Sequence, residues 1–241
     1  MSLPDKISKW IKSRVDEARA KGVIVGLSGG LDSSVVAVLS KQALQDEVLG
    51  VIMPCHNEPC CEEDANLLAT TFGIKTSRVA LDRVYNELLN ILPDASKLVQ
   101  ANLKPRLRML TLYYFANKVN YLVAGTGNKS ELMVGYFTKY GDGGADILPL
   151  GGLLKTQVIE LAKELKIPPK IIDKVPSADL WNGQTDENEL GISYPELDKA
   201  ILSIESGNTG NIDPEVINKL HNLMQASEHK RSVIPIFNQD V

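Results

Sequence analysis

The chain has 241 residues, 44% of them hydrophobic and 23% charged, with a net charge of −4. This is long enough for one domain with a full core, and too acidic for a general nucleic-acid binder, which needs a basic face against phosphates. No apolar run is long enough to cross a membrane, and three cysteines without an export signal argue against a disulfide framework, so a cytoplasmic protein with a single domain over 1–241 is expected.

The first segment is charged and amphipathic, with Leu3, Ile7, Trp10, Ile11 and Val15 at helical spacing. Residues 22–33 then read GVIVGLSGGLDS. The apolar run 23–27 predicts a buried strand that breaks into a Ser-Gly-Gly turn, and Val35, Val36, Val38 and Leu39 carry a helix onward. A strand, a tight turn and a helix start form an anion site, because backbone N–H groups and the helix dipole both favour negative charge there. Asp32 stands inside that cradle, where it would repel a phosphate unless a divalent cation lay between them. The loop therefore points to Mg²⁺-bound polyphosphate, against the alternative of an ordinary acid in a helix's first turn. It is neither G-x-x-x-x-G-K-[ST] nor G-x-G-x-x-G.

Further strands are predicted over 48–53, 76–80 and 121–124, with helical patterns over 33–45, 61–72, 82–91 and 96–119. This alternation predicts an α/β fold, a parallel twisted sheet with helices on both faces, Rossmann-like in layout. Ligands of such sheets bind beyond the carboxyl ends of the strands, here 28–32, 54–57, 81–82 and 125–128. After residue 141 the rhythm changes: GDGGAD is turn-rich, 153–165 is helical, 174–190 is a polar segment suited to a mobile lid, and 214–226 is a further helix.

Glu131, in GTGNKSEL, is a second candidate metal ligand if the fourth strand lies beside the first. Lys139, Lys155, Arg106 and Arg108 are candidate partners for phosphate or carboxylate, and Pro105 inside a helical pattern is expected to kink that helix and re-aim Arg106. The segment 137–142, FTKYGD, suits a pocket for a planar ring with polar substituents. His229, Lys230 and Arg231 either bind a ligand or satisfy the end of a helix. Cys55, Cys60 and Cys61 beside His56 raise a zinc site, but the adjacent pair cannot readily turn both sulfurs to one ion and no second ligand pair exists elsewhere.

The loop resembles the pyrophosphate loop of the N-type ATP pyrophosphatases (adenine nucleotide alpha hydrolase-like fold). GLSGGLDSS, GTGNKSEL, GYFTKYGDGGADILPL, PSADLW with QTDENELGISY, and EHKR, in this order over nearly the whole chain, resemble the NAD synthetase family in its ammonia-dependent form. That resemblance implies a ligase that uses ATP and ammonia to amidate deamido-NAD through an adenylated carboxyl, releasing AMP and pyrophosphate. It implies ATP contacts from Gly26, Leu27, Ser28, Gly29, Gly30, Leu31, Asp32, Ser33, Thr126, Lys155 and Ser177, and Mg²⁺ held by Asp32 and Glu131. Asp32 and Lys155 would stabilise charge on the phosphates, and Arg106, Lys139, Asp146, His229 and Lys230 would bind deamido-NAD. Ser177 stands where the family usually has threonine, and Pro105 where alanine is frequent. A homodimer is implied, with Leu107, Leu110, Leu112, Tyr113 and Tyr114 as an apolar surface for it or as ordinary core, and with neither nucleic acid nor membrane as partner. A chain of this length leaves no room for an amidotransferase (glutaminase) domain. The alternatives are another ATP pyrophosphatase with a different acceptor, and a nucleotide sensor that binds ATP without forming AMP.

Overall fold

The computed structural model describes residues 1–56, 59–208, 210 and 212–237; Asn57, at the second predicted strand end, lies outside them. The strands β1 (Gly22–Gly26), β2 (Val48–Ile52), β3 (Lys75–Arg78) and β4 (Tyr121–Val123) form one parallel sheet in the order β3-β2-β1-β4, each overlapping its predicted range. Around them run α1 (Leu3–Glu17), α2 (Leu31–Leu44), α3 (Pro59–Phe72), α4 (Asp82–Ile91), α5 (Lys97–Ala101), α6 (Leu103–Val119), α7 (Lys129–Val134), α8 (Lys155–Glu164), α9 (Pro169–Ile172), α10 (Asp186–Leu190), α11 (Tyr194–Ser206), α12 (Pro214–Ala226) and α13 (Glu228–Arg231).

A parallel sheet needs cover on both faces, and successive side chains of a strand point to opposite ones. Val23 and Val25 of β1 therefore join a core with α1, α2, α3 and α8, while Ile24 joins a second core with α4 and α6. The run Val35, Val36, Ala37, Val38, Leu39 is buried throughout, so α2 is apolar all round and lies inside the molecule. The polar strand β3 takes the sheet's edge, where lysine and arginine discourage further pairing. A third core, built on Leu190, Tyr194, Leu197, Ile201 and Leu220, gathers α7, α10, α11 and α12.

One helix was predicted over 96–119 with a kink at Pro105; the chain instead breaks at Asn102 and restarts. Continued through, the ring of Pro105 would strike the carbonyl of Ala101 and remove a hydrogen bond. As the third residue of α6 it sits where N–H groups have no helical partner anyway. Arg106 is consequently on the exposed side of α6.

The turn after β1 has no freedom to accept a side chain. Gly29 has φ +76°, and a Cβ there would lie 2.2 Å from the Cys61 carbonyl oxygen at the start of α3. Gly73, at φ +61°, has nothing within 4 Å of the same point. Gly73→Ala should cost about 1 kcal/mol, from the left-handed backbone alone, and Gly29→Ala about 2–4 kcal/mol, because the overlap adds to it. Urea unfolding of both variants checks this; equal losses would refute the close approach of α3.

Candidate active site

The pairing of β1 with β4, Ile24 opposite Val123, sets the two strand ends side by side. From the first comes the loop into α2, from the second the turn into α7. Ser28 and Ser33 hydroxyls lie 3.0 Å apart, the Gly30 N–H donates to Ser28 Oγ at 3.2 Å, and Ser34 Oγ donates to the Gly30 carbonyl at 2.8 Å. Gly30 brings no capping side chain to α2, so the helix's first turn, which lines a cleft, offers its N–H groups to an anion.

Glu131 is aimed by a capping box. Asn128 Oδ1 accepts the Glu131 N–H at 3.0 Å, and Glu131 Oε2 accepts the Asn128 N–H at 3.1 Å. This leaves Oε1 toward Lys155, the first residue of α8, whose Nζ is 3.7 Å away. The same buried ammonium pairs with Asp32 Oδ2, while Asn128 Nδ2 donates to Asp32 Oδ1 at 3.3 Å. The Tyr194 ring lies 5.2 Å from the ammonium. Burial opposes the lysine's charge, but Asp32 and Glu131 outweigh it and hold its pKa above the ordinary value. Burial first, and Asp32 second, push Glu131 up to about 8.

One buried carboxylate fastens this group. Asp198, on α11, accepts hydrogen bonds from Ser130 Oγ, from the Thr156 N–H at 2.9 Å and from Thr156 Oγ1 at 2.8 Å, and Ser130 Oγ in turn accepts the Lys155 N–H at 2.9 Å. The starts of α7 and α8 are thus tied together, and Glu131 and Lys155 with them.

The cleft beyond the strand ends has a volume of about 1100 Å³. Gly26, Leu27, Ser28, Gly30, Leu31, Asp32, Ser33, Thr126, Glu131, Lys155, Ser177 and Lys230 all line it. Gly29 packs behind the loop against α3. Four of the five residues expected at the second substrate are not in the cleft wall. Arg106 Nε donates to the Lys139 carbonyl at 3.3 Å, Lys139 Nζ donates to the carbonyl of exposed His229, and Asp146 accepts the Val123 N–H at 2.7 Å and the Tyr113 hydroxyl at 3.0 Å. Only Lys230 reaches inside, its Nζ donating to the Gly135 and Phe137 carbonyls at 3.0 Å each. Of the two aromatics in FTKYGD, Phe137 lines the wall beside Tyr136, whereas Tyr140 is 62% exposed and lies outside it.

The polar segment 174–184 forms one side of the cleft. Lys104 Nζ donates to the Leu180 carbonyl at 2.7 Å, and Lys174 Nζ reaches Asp64 Oδ2 at 3.0 Å and Cys61 Sγ at 3.4 Å. These tethers come from α3 and α6, far off in sequence, and no local pattern announces Asp64, Lys104 or Asp198. Arg108, expected as an anion partner, lines the cleft and donates from Nε to the Met53 carbonyl at 3.4 Å. Cys55 is packed in the second core, and His56 contacts Asn86 and Asp82.

Two facing carboxylates beside a bed of N–H groups are a hard oxygen donor set, suited to Mg²⁺ and phosphate oxygens. Burial, and then the charge of Asp32, hold Glu131 above the usual carboxylate range, and Lys155 pulls it back only in part.

A family model described as NAD synthase matches residues 3–234. The NH(3)-dependent NAD(+) synthetase of Carboxydothermus hydrogenoformans is 48% identical, over 95% of this chain and 94% of its own length. Among solved structures, the NMN synthetase from Francisella tularensis superposes with a TM-score of 0.91 at 35% identity, over 99% of both chains. The NH3-dependent NAD synthetase from Campylobacter jejuni does so with a TM-score of 0.87 at 29% identity, over 99% of this chain and 100% of its own.

Because Glu131 titrates higher in the folded protein than in the unfolded chain, folding takes up a proton there. Its contribution is fully present below about pH 4.5 and is lost as pH rises through about 8. Glu131→Gln keeps the capping acceptor and removes the charge. Its melting temperature should exceed that of the parent at about pH 9, with the gain shrinking toward zero near about pH 5. A difference independent of pH would contradict the buried, titrating carboxyl.

Proposed function

Because the chain belongs to the NAD synthase family, we propose that this cleft carries out the ATP-dependent amidation of deamido-NAD by ammonia, the last step in making NAD. The observation that carries the reading is the grouping of Asp32, Glu131 and Lys155 at the mouth of an N–H-rich loop. Asp32 and Glu131 would hold Mg²⁺, which supplies charge neutralisation on the triphosphate when bound. The loop's N–H groups and Ser28 and Ser33 hydroxyls bind the β- and γ-phosphates and keep them in place as pyrophosphate leaves. The nicotinate carboxylate attacks the α-phosphorus, and Lys155 lies within reach of the charge that develops there, so the contribution is positioning and electrostatics. Ammonia then displaces AMP from the acyl-adenylate. That intermediate is hydrolysable, and the 174–184 segment, held down by Lys104, works as a lid against water. ATP contacts from Thr126 and Ser177 fit their place in the wall. A reducing, cytoplasmic setting suits Cys55, Cys60 and Cys61 as thiols.

Arg106, Lys139 and His229 are joined by hydrogen bonds outside the cleft wall, and with Asp146, which holds the Tyr113 hydroxyl, they would take the far half of a dinucleotide. A second reading is favoured by the likeness to NMN synthetase: an acceptor that is only the mononucleotide would end inside the cleft. Purified protein with ATP, Mg²⁺ and ammonium, given either deamido-NAD or nicotinate mononucleotide, separates the two. Equimolar NAD and AMP from the dinucleotide are expected, with Arg106→Ala raising its KM about tenfold and leaving the KM for ATP unchanged. Amide from the mononucleotide alone would establish the second reading, and ATP binding without AMP would sink both.

We also infer a homodimer through α4 and α6. Leu107 and Leu112 are core, but Leu110 and Tyr114 are 69% and 64% exposed, and Ile91 of α4 is 76% exposed. Such a band suits a second copy better than water. Sedimentation should find a dimer, and Leu110→Glu with Tyr114→Ser should yield folded monomer; a monomeric parent refutes the assignment.

A further inference from the structure

Tyr194 stands between two carboxylates with one proton to give. Its hydroxyl lies 2.9 Å from Asp186 Oδ2 and 3.4 Å from Glu131 Oε1. A phenol donates a single hydrogen bond, and the shorter contact takes it. The ring has no other place to go: Tyr194 is 3% exposed, its N–H donates to Glu187 Oε1 at 2.9 Å, and its face lies against the Lys155 ammonium. Only the hydroxyl hydrogen can turn.

Glu131 has one oxygen committed to the Asn128 N–H, so Oε1 is what it offers to the cleft. Asp186 is 4% exposed, lines the cleft, and keeps Oδ1 buried without a hydrogen-bond partner among the described residues. A third carboxylate beside Asp32 and Glu131 is a costly choice for a merely structural acceptor. Among the described residues no group of three such side chains converges closely enough to share one ion.

We propose that Asp186 is a positioning residue that occupies the Tyr194 proton and thereby keeps Glu131 Oε1 free for the cation. The inference rests on Glu131 being a cation ligand. Asp186 opens α10, directly after the lid segment. Without Asp186 as acceptor, the Tyr194 proton turns to Glu131 Oε1, 3.4 Å away, occupies that oxygen and weakens the hold on the cation.

Mn²⁺ binding to the purified protein, read from the electron paramagnetic resonance of free Mn²⁺, tests this without turnover. Asp186→Ala should weaken binding about tenfold, the worth of one hydrogen bond to a charged group, whereas Asp186→Asn, which still accepts the Tyr194 proton, should stay within about threefold of the parent. Tyr194→Phe should bind at least as well as the parent, and adding it to Asp186→Ala should recover most of the loss. If Asp186→Ala weakens binding equally in both backgrounds, the effect is charge alone and the proposal falls; no loss at all also overturns it. Glu131→Gln separates the levels. If it leaves Mn²⁺ affinity unchanged, Glu131 is not a ligand, and the underlying reading fails rather than this extension alone.

Discussion

The buried ammonium of Lys155, set between Asp32 and Glu131, is the contact on which the rest of the site depends. It brings together the first turn of α2, the start of α7 and the start of α8, three pieces of chain that share no local sequence. Two carboxylates this close would repel without it, and a lysine this buried would lose its proton without them. The group is stable as a unit and unstable in parts. Under the proposed function, a divalent cation arriving with ATP would add positive charge to the pair that one lysine already bridges. The same electrostatics that hold the ligand-free site together prepare it for its substrate.

The scaffold behind this group is rigid where the chemistry needs rigidity. Asp198 ties α7 to α8 through hydrogen bonds to Ser130 and Thr156, and the Asn128–Glu131 capping box fixes one carboxylate oxygen so that the other faces inward. The cleft's other side is lighter. Residues 174–184 contain no helix or strand and are held by a few polar tethers, of which Lys104 to Leu180 and Lys174 to Asp64 come from opposite walls. An acyl-adenylate enzyme needs both: fixed donors for the phosphates, and a cover that opens for products. Tyr194 sits beside both, touching Glu131 of α7 and Asp186 at the start of α10, just after the 174–184 segment.

The division of the substrate residues follows the same layout. Lys230 reaches into the cleft, while Arg106, Lys139 and His229 are joined to one another outside it. Pro105 is the local cause for Arg106: by restarting the helix after Asn102 it leaves the guanidinium on the solvent side of α6. The exposed band carrying Leu110 and Tyr114 belongs to the same helix, so a second copy seated there would lie near Arg106.

Much of this was legible in the sequence. Apolar runs bounded by turn residues gave β1, β2 and β4, because buried parallel strands need apolar side chains on both faces. The Ser-Gly-Gly turn with Asp32 marked a candidate anion site at a strand end, and Glu131 joined it as a candidate once two strands were taken as neighbours. Local signals of this kind rest on backbone propensity and on which residue types tolerate a given place, and both are written in short stretches of chain. The break at Asn102, the outward aim of Arg106, the Asp198 tie, the tethers of the lid and the Tyr194 proton's choice between Asp186 and Glu131 were not legible. The break at Asn102 and the aim of Arg106 turn on where a helix restarts relative to Pro105; the other features are contacts between separate elements, and a hydrogen bond or ion pair acts only over a few ångströms. The sequence by itself singled out Asp32, Glu131 and Lys155 as candidates; only the tertiary structure decided that they meet, because meeting is a property of packing.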